Sequence, residues 1–192
     1  MKPQIVRVTS TCFYQLRRLI HVRQSVGQEL TTQLVHAFVL SRLDYGNSVL
    51  AGLPKSTTAP LQRVQNAAAR LILGLRARDH VTPALRQLHW LPVHQRIQHK
   101  LCTMMHSVHH GVCPAYLADT VSAIADNPTR PGLRSADSKS YRLLRCRTSM
   151  GERAFSFSGP LVWNALPSTI RDIADRTRFR KLLKTHFFNS LP

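Results

Sequence analysis

Arg63, Asn66 and Arg70 stand at i, i+3 and i+7 in a segment with helical apolar spacing. On a helix they form one stripe, two guanidinium groups and an amide along about 10 Å at 1.5 Å of rise per residue. Phosphates of a nucleic-acid strand are spaced on a comparable scale, and guanidinium offers them a planar fork of donors. Such contacts position a polyanion without reading bases. Arg76 and Arg78 extend the region past the helix end. The plain alternative is an ordinary solvated face. A second basic group is Arg142, Arg145 and Arg147, then Arg153. In a strand, Arg145 and Arg147 would face the same way, with Tyr141 and Phe155 as stacking surfaces. A third group, Arg176, Arg178, Arg180, Lys181 and Lys184, reads equally well as a nuclear-import patch.

Other chemistry finds less support. Cys102, His106, His109, His110 and Cys113 fall within twelve residues, and a zinc ion is conceivable there. Leu101 and Met105 interleave with them as core, and the spacing matches no standard finger, so no metal is expected. No two acidic residues are adjacent, which disfavours a two-metal site of paired carboxylates. Asp172 and Asp175, flanked by Arg171 and Arg176, read as surface ion-pair partners. There is no GxxxxGK or GxGxxG loop for phosphates, no nucleophile elbow, and no cofactor is expected. A Ser-His-Asp arrangement assembled by folding stays open.

Composition points the same way as the arginines. Among 192 residues, 27 are Lys or Arg and 9 are Asp or Glu, a net charge of +18. Of the 27, 21 are Arg. The excess is +10 over residues 1–125 and +8 over 126–192, so this is no basic tail on a neutral domain. Both parts repel themselves, and a polyanion relieves that repulsion. A ribosomal-type protein, or one that meets an anionic membrane, is the competing explanation. With 43% hydrophobic residues the chain has material for a core. No stretch approaches the roughly 20 apolar residues of a bilayer span, and the N-terminus lacks a signal-peptide core. Four scattered cysteines without CxxC read as reduced thiols, which fits a nuclear or cytoplasmic, unsecreted protein.

These side chains need helices to position them. Thr9–Thr11 cap a predicted helix to Val26, with Phe13, Leu16, Leu19 and Ile20 on its buried face, and Gly27 breaks it. A second helix is predicted from Gln28 to Ser48 with Leu30, Leu34, Phe38 and Tyr45 inside. The third has Pro60 in its first turn, a seam of Leu61, Val64, Ala68, Leu71 and Leu75, and Gly74 at its end. A short helix from Thr82, a turn at Trp90-Leu91-Pro92, a helix from Pro92 to His110 and a short one from Pro114 follow. Trp90 and Trp163 read as core anchors in turns. Residues 126–136 have no apolar period and read as a linker. Tyr141–Arg147 and Arg153–Phe157 are predicted as strands, and a last helix from Thr177 to Asn189 buries Phe179, Leu182, Leu183 and Phe187. The expected architecture is mainly α: a helical bundle over 1–125, a linker, and a small α+β or irregular basic module over 137–192.

Several strings also occur in a family order: SRLDYGNSVLAGLP (Ser41–Pro54), LQRVQNAAARL (Leu61–Leu71), HVTPALRQLHWLPVHQRI (His80–Ile97), LRSAD (Leu133–Asp137), GERAFSFSGPLVWNALP (Gly151–Pro167) and FRKLLKTHFF (Phe179–Phe188). In this the chain resembles the C-terminal portion of jockey-like non-LTR retrotransposon reverse transcriptases. Gly46 departs from the family, which usually has Cys there. The resemblance implies the thumb of a right-hand polymerase over residues 10–110 and a family-specific region after it. It implies RNA or DNA backbone as partner, and a palm and fingers segment of the same element as a second. The family's aromatic-Ala-Asp-Asp signature is not in the sequence, so the expectation is a nucleic-acid-binding fragment of an RNA-directed DNA polymerase that synthesises nothing by itself. A relic of a degenerate mobile element is the alternative.

Overall fold

A computed structural model describes residues 1–124 and 139–190. The linker predicted over 126–136 lies outside the described residues. The chain is mainly α, as its periodicity predicts, and divides into two compact units, residues 1–96 and 97–192.

In the first unit, α1 spans Lys2–Val35, starting earlier than expected because Pro3 sits in its first turn. Gly27 bends it with φ +74, a left-handed value that glycine reaches without strain. A π-turn, His36–Leu40, joins it to α2 (Ser41–Asp44). A 3₁₀ turn over Asn47–Leu50 leads to α3 (Lys55–Leu73) and α4 (Thr82–Gln87). The division between the units falls inside α5 (Val93–His109).

α3 packs on α1 through a face that the predicted seam describes in part. Leu61, Val64 and Ala68 are buried, and Gln65, Ala69 and Ile72 join them, while Leu71 and Leu75 are only half-buried. Gly74 ends the helix at φ +69. Arg23 of α1 lies across it, so a Cβ added at Gly74 would sit 2.6 Å from that guanidinium. From α1 the core takes Cys12, Leu16 and Leu19; Ile20 is exposed. The second predicted set is corrected: Leu30, Phe38 and Tyr45 are exposed, Tyr45 by 88%, and Leu34 is half-buried. Thr31, Val35, Val39 and Leu43 take the interior instead, a stripe one residue further along. Two adjacent stripes compete here. The π-turn, which adds a residue to one turn, keeps the Thr31–Val35 stripe in line with Leu40 and Leu43. Trp90 is buried in its turn, edge-on to His36 with centroids 5.5 Å apart.

In the second unit, α6 (Ala115–Ala118) precedes an isolated bridge between Ala123 and Tyr141. A 3₁₀ turn over Gly151–Arg153 leads to α7 (Phe155–Asn164), α8 (Ser168–Arg171) and α9 (Arg176–Asn189). Both predicted strands are therefore corrected: among the described residues there is no strand beyond that bridge. Tyr141 is held as a strand residue would be, but by one side chain. Asn164 Oδ1 accepts its N–H at 2.9 Å, and Asn164 Nδ2 donates to its carbonyl at 2.7 Å. From Phe155 the segment is helical instead, and it buries Ser158, Gly159, Pro160 and Trp163. At Gly159 a Cβ would lie 2.9 Å from Met105 Sδ, so α7 meets α5 at van der Waals distance there. Trp163 is fully buried, on a helix rather than in a turn, and its Nε1–H donates to the Lys139 carbonyl at 2.8 Å. α9 buries Phe179, Leu183 and Phe187, and Leu182 is 40% exposed. The i, i+4, i+8 spacing leaves Leu182 a quarter-turn away from that face.

Candidate nucleic-acid interface

Of the three-residue stripe on α3, only Arg63 is fully exposed; Asn66 and Arg70 are half-buried. A chain of amides fixes Asn66. Gln62 Nε2 donates to Asn66 Oδ1 at 2.8 Å and to Gln65 Oε1 at 3.1 Å, while Gln62 Oε1 accepts from Val93 N–H at 2.8 Å. Buried Gln65 donates to the Leu91 carbonyl at 2.8 Å. The network thereby joins α3 to the first turn of α5 and leaves the Asn66 N–H groups without a partner among the described residues. Arg70 turns along the protein: its guanidinium donates to the Asp79 carbonyl at 3.1 Å. Its Nε–H is closed off from solvent without an acceptor. Asp79 in turn accepts from the Arg76 N–H at 2.6 Å, closing the turn that presents Arg76 and Arg78. Both of those arginines are exposed.

Asn66, Arg70 and Arg78 meet around an open cleft of about 520 Å³ that also takes in Asp79, His80 and Thr82, with Leu85 and Pro92 in its wall. Arg63 and Arg76 are not among its lining residues. The structure thus gathers three of the five predicted residues of this region into one concavity and leaves two on open surface.

Sequence reasoning passed over α1. Arg7, Tyr14, Arg18 and His21 are all exposed and recur at steps of seven, four and three, which is one helix face. Arg18 stacks over the Tyr14 ring at 5.8 Å from its centroid, a contact that holds the ring outward. The signal for it in the sequence is the helical spacing of these polar residues, which the apolar pattern of the same segment overlies.

In the second unit Arg142, Arg145 and Arg147 are exposed on irregular backbone, and Arg153 is half-buried. Tyr141 is not the stacking surface expected beside them. It is buried, with its hydroxyl 3.2 Å from His109 Nδ1 and its ring edge-on to Trp163. Phe155 is half-buried. Arg178 and Lys181 lie on the side of α9 opposite Phe179 and Leu183, both exposed. Asp175 caps that helix, accepting from the Arg178 N–H, and Asp172 pairs with Lys139 at 3.0 Å. One of the two aspartates is therefore an ion-pair partner, of Lys139 and not of a flanking arginine, and the other a cap.

The chain matches no protein-family model, no curated protein and no solved structure.

Of the histidine–cysteine group, Cys102 and His106 are buried with Leu101 and Met105, while His109, His110 and Cys113 are half-buried. His106 is buried and stacked on Phe179 with centroids 4.2 Å apart, and its Nε2–H donates to the Ile173 carbonyl at 2.9 Å. That leaves Nδ1 enclosed and unpartnered. His109 lies 5.6 Å from the Trp163 ring. Burial holds both imidazoles below the ordinary histidine range, with neighbouring His110 lowering them further. Burial likewise raises the Cys102 thiol. Among the described residues, no three His, Cys, Asp or Glu side chains gather where they could hold a metal ion. No described helix is long and apolar enough to cross a membrane.

Proposed function

We propose that this chain binds RNA or DNA through the phosphate backbone, as the thumb and C-terminal region of a jockey-like non-LTR reverse transcriptase would, and adds no nucleotides itself. The supporting observation is a surplus of unpaired, outward-facing cations. Arg63, Arg76, Arg78, Arg142, Arg145, Arg147, Arg178 and Lys181 are exposed, and their side chains have no hydrogen-bond or ion-pair partner among the described residues. Folding gains nothing from such charges. At the start of α9 they act slightly against it, since Arg176 and Arg178 stand in the first turn, at the positive end of the helix dipole, at about 0.3 kcal/mol each. A polyanion turns that cost into affinity by releasing condensed counterions. Such a role belongs in the nucleus or cytoplasm, and the basic run on α9 suits import.

The test is binding of polyuridine and of duplex DNA across a salt series. With about four phosphates neutralised, affinity falls about 100-fold between ~50 and ~200 mM salt, and different sequences bind nearly alike. Salt-indifferent retention would sink the proposal. Primer extension with Mg²⁺ gives no incorporation; synthesis by the purified chain would replace the binding role with an enzymatic one.

A further inference from the structure

The cleft beside α3 differs from the rest of the cationic surface in being concave, partly apolar and lined by donors that folding leaves unused. We propose that it seats one unpaired nucleotide of a strand, with the diester phosphate on Arg78 and Arg70 and the base over Leu85 and Pro92. The proposal rests on nucleic-acid binding as argued above and names which form is held here.

Four observations carry it. At about 520 Å³ the cleft falls within the range of small-molecule sites. Asn66 is locked by Gln62 on its oxygen side, so its N–H groups stay available at the wall. Arg70 is anchored through one nitrogen to the Asp79 carbonyl, while its Nε–H has no acceptor; a ligand oxygen satisfies that donor once the guanidinium turns toward the cleft. Asp79 decides the ligand class. Its carboxylate, fixed by the Arg76 N–H, disfavours the second negative charge of a terminal or inorganic phosphate and favours a singly charged diester. It also supplies an acceptor for the amino or imino edge of a base. A duplex keeps its bases stacked inside and offers only backbone here, whereas a single strand turns a base out at little cost.

The full chain is titrated by fluorescence anisotropy with three labelled 12-nucleotide probes: a mixed-sequence single strand, the same length of abasic strand, and the duplex. Phosphate number per strand is common to the first two, so their affinity ratio reports the base alone. The expected ratio is about tenfold in favour of the base-bearing strand. Arg78→Gln and Asn66→Leu bring it toward unity. Arg17→Gln, an exposed arginine of α1 with the same charge lost, weakens all probes together and keeps the ratio. Inorganic phosphate at millimolar concentration does not displace the strand beyond its ionic-strength effect. Arg78 is exposed, so its variant tests the cleft even where Asn66→Leu perturbs the amide network, and a thermal melt of each variant checks the fold. A ratio near one with all probes bound overturns the cleft and spares backbone binding. No binding of any probe overturns backbone binding first. A tenfold ratio that survives Arg78→Gln but is lost in Tyr14→Ala assigns the base to α1 and overturns the cleft.

Discussion

The two units carry nearly equal surplus charge, +10 over residues 1–96 and +8 over 97–192, and use it differently. In the first, part of the cationic set is woven into the fold. Arg70 holds the turn at Asp79, and Arg96 grips Asp44 with both guanidinium arms, Nε to Oδ1 at 2.8 Å. In the second, the interior is an assembly of imidazole and aromatic rings around Trp163, while Arg142, Arg145, Arg147, Arg178 and Lys181 stand outside it. Arginine density alone therefore does not identify a binding surface. The same residue type closes a turn at Arg70, ties Arg171 to Ser140 at 2.8 Å, and is surplus to folding at Arg142, Arg145 and Arg147, and only partner geometry separates the uses.

The largest effect expected is from Trp163→Ala. Removing a fully buried indole that donates to the Lys139 carbonyl costs about 3–5 kcal/mol. Amide hydrogen exchange then loses protection in α7 and α9 while α1 and α3 keep theirs. If both units lose protection together, they are one cooperative body and the contrast fails. Failure of the unmutated chain to melt cooperatively would instead favour the alternative of a mobile-element relic.

Acid sharpens the comparison next. His106 and His109 are held below the ordinary value of 6.5 by burial. Their surroundings are His110, Lys139, Arg171 and Arg176, opposed at His106 by Asp175. As the folded state refuses protons that the unfolded chain accepts, stability is complete above about pH 6.5 and declines as pH falls below it. Each unit has its own tryptophan, so a Trp90→Phe variant lets Trp163 emission follow the second unit alone through a pH series. His106→Gln keeps an N–H for the Ile173 carbonyl and flattens the decline; an unchanged slope would remove His106 from the account.

A smaller loss is expected from Asp44→Asn, about 1–2 kcal/mol by chemical denaturation. It is held below the figure for fully buried pairs because the Asp44 side chain is 41% exposed against 19% for Arg96. Smallest is the double change Arg178→Gln and Lys181→Gln. It moves stability by under about 0.5 kcal/mol in either direction while lowering the salt slope of binding by about 2. A loss of stability near that of Asp44→Asn would mean that these cations serve the fold after all.

How far the sequence foretells the structure follows from the range of the interactions involved. Helices with a single apolar stripe, such as α3 and α9, are legible because 3.6-residue spacing is a local signal, although α3 begins at Lys55, so that Pro60, expected in the first turn, lies inside the helix. Over residues 30–45 two apolar stripes compete, Leu30, Phe38 and Tyr45 against Val35, Val39 and Leu43, and the packing partner, not apolarity, decides which is buried. The segments 141–147 and 153–157, expected as strands, are too short for a local pattern to separate strand from helix or irregular backbone. The arginines of the candidate interface were visible one by one. Their assembly around a cleft was not, because it depends on Arg70 reaching nine residues ahead and on Gln62 meeting Val93 across 31.

The crowding of cations at the start of α9 has a practical corollary. Added electrolyte screens like-charge repulsion within the helix and across the whole chain, so the fold gains firmness as ionic strength rises. The same ions compete for the arginines and release any bound polyanion. The molecule should accordingly be easiest to purify and store in brine, and most fragile in the dilute buffers where the proposed binding would be tightest.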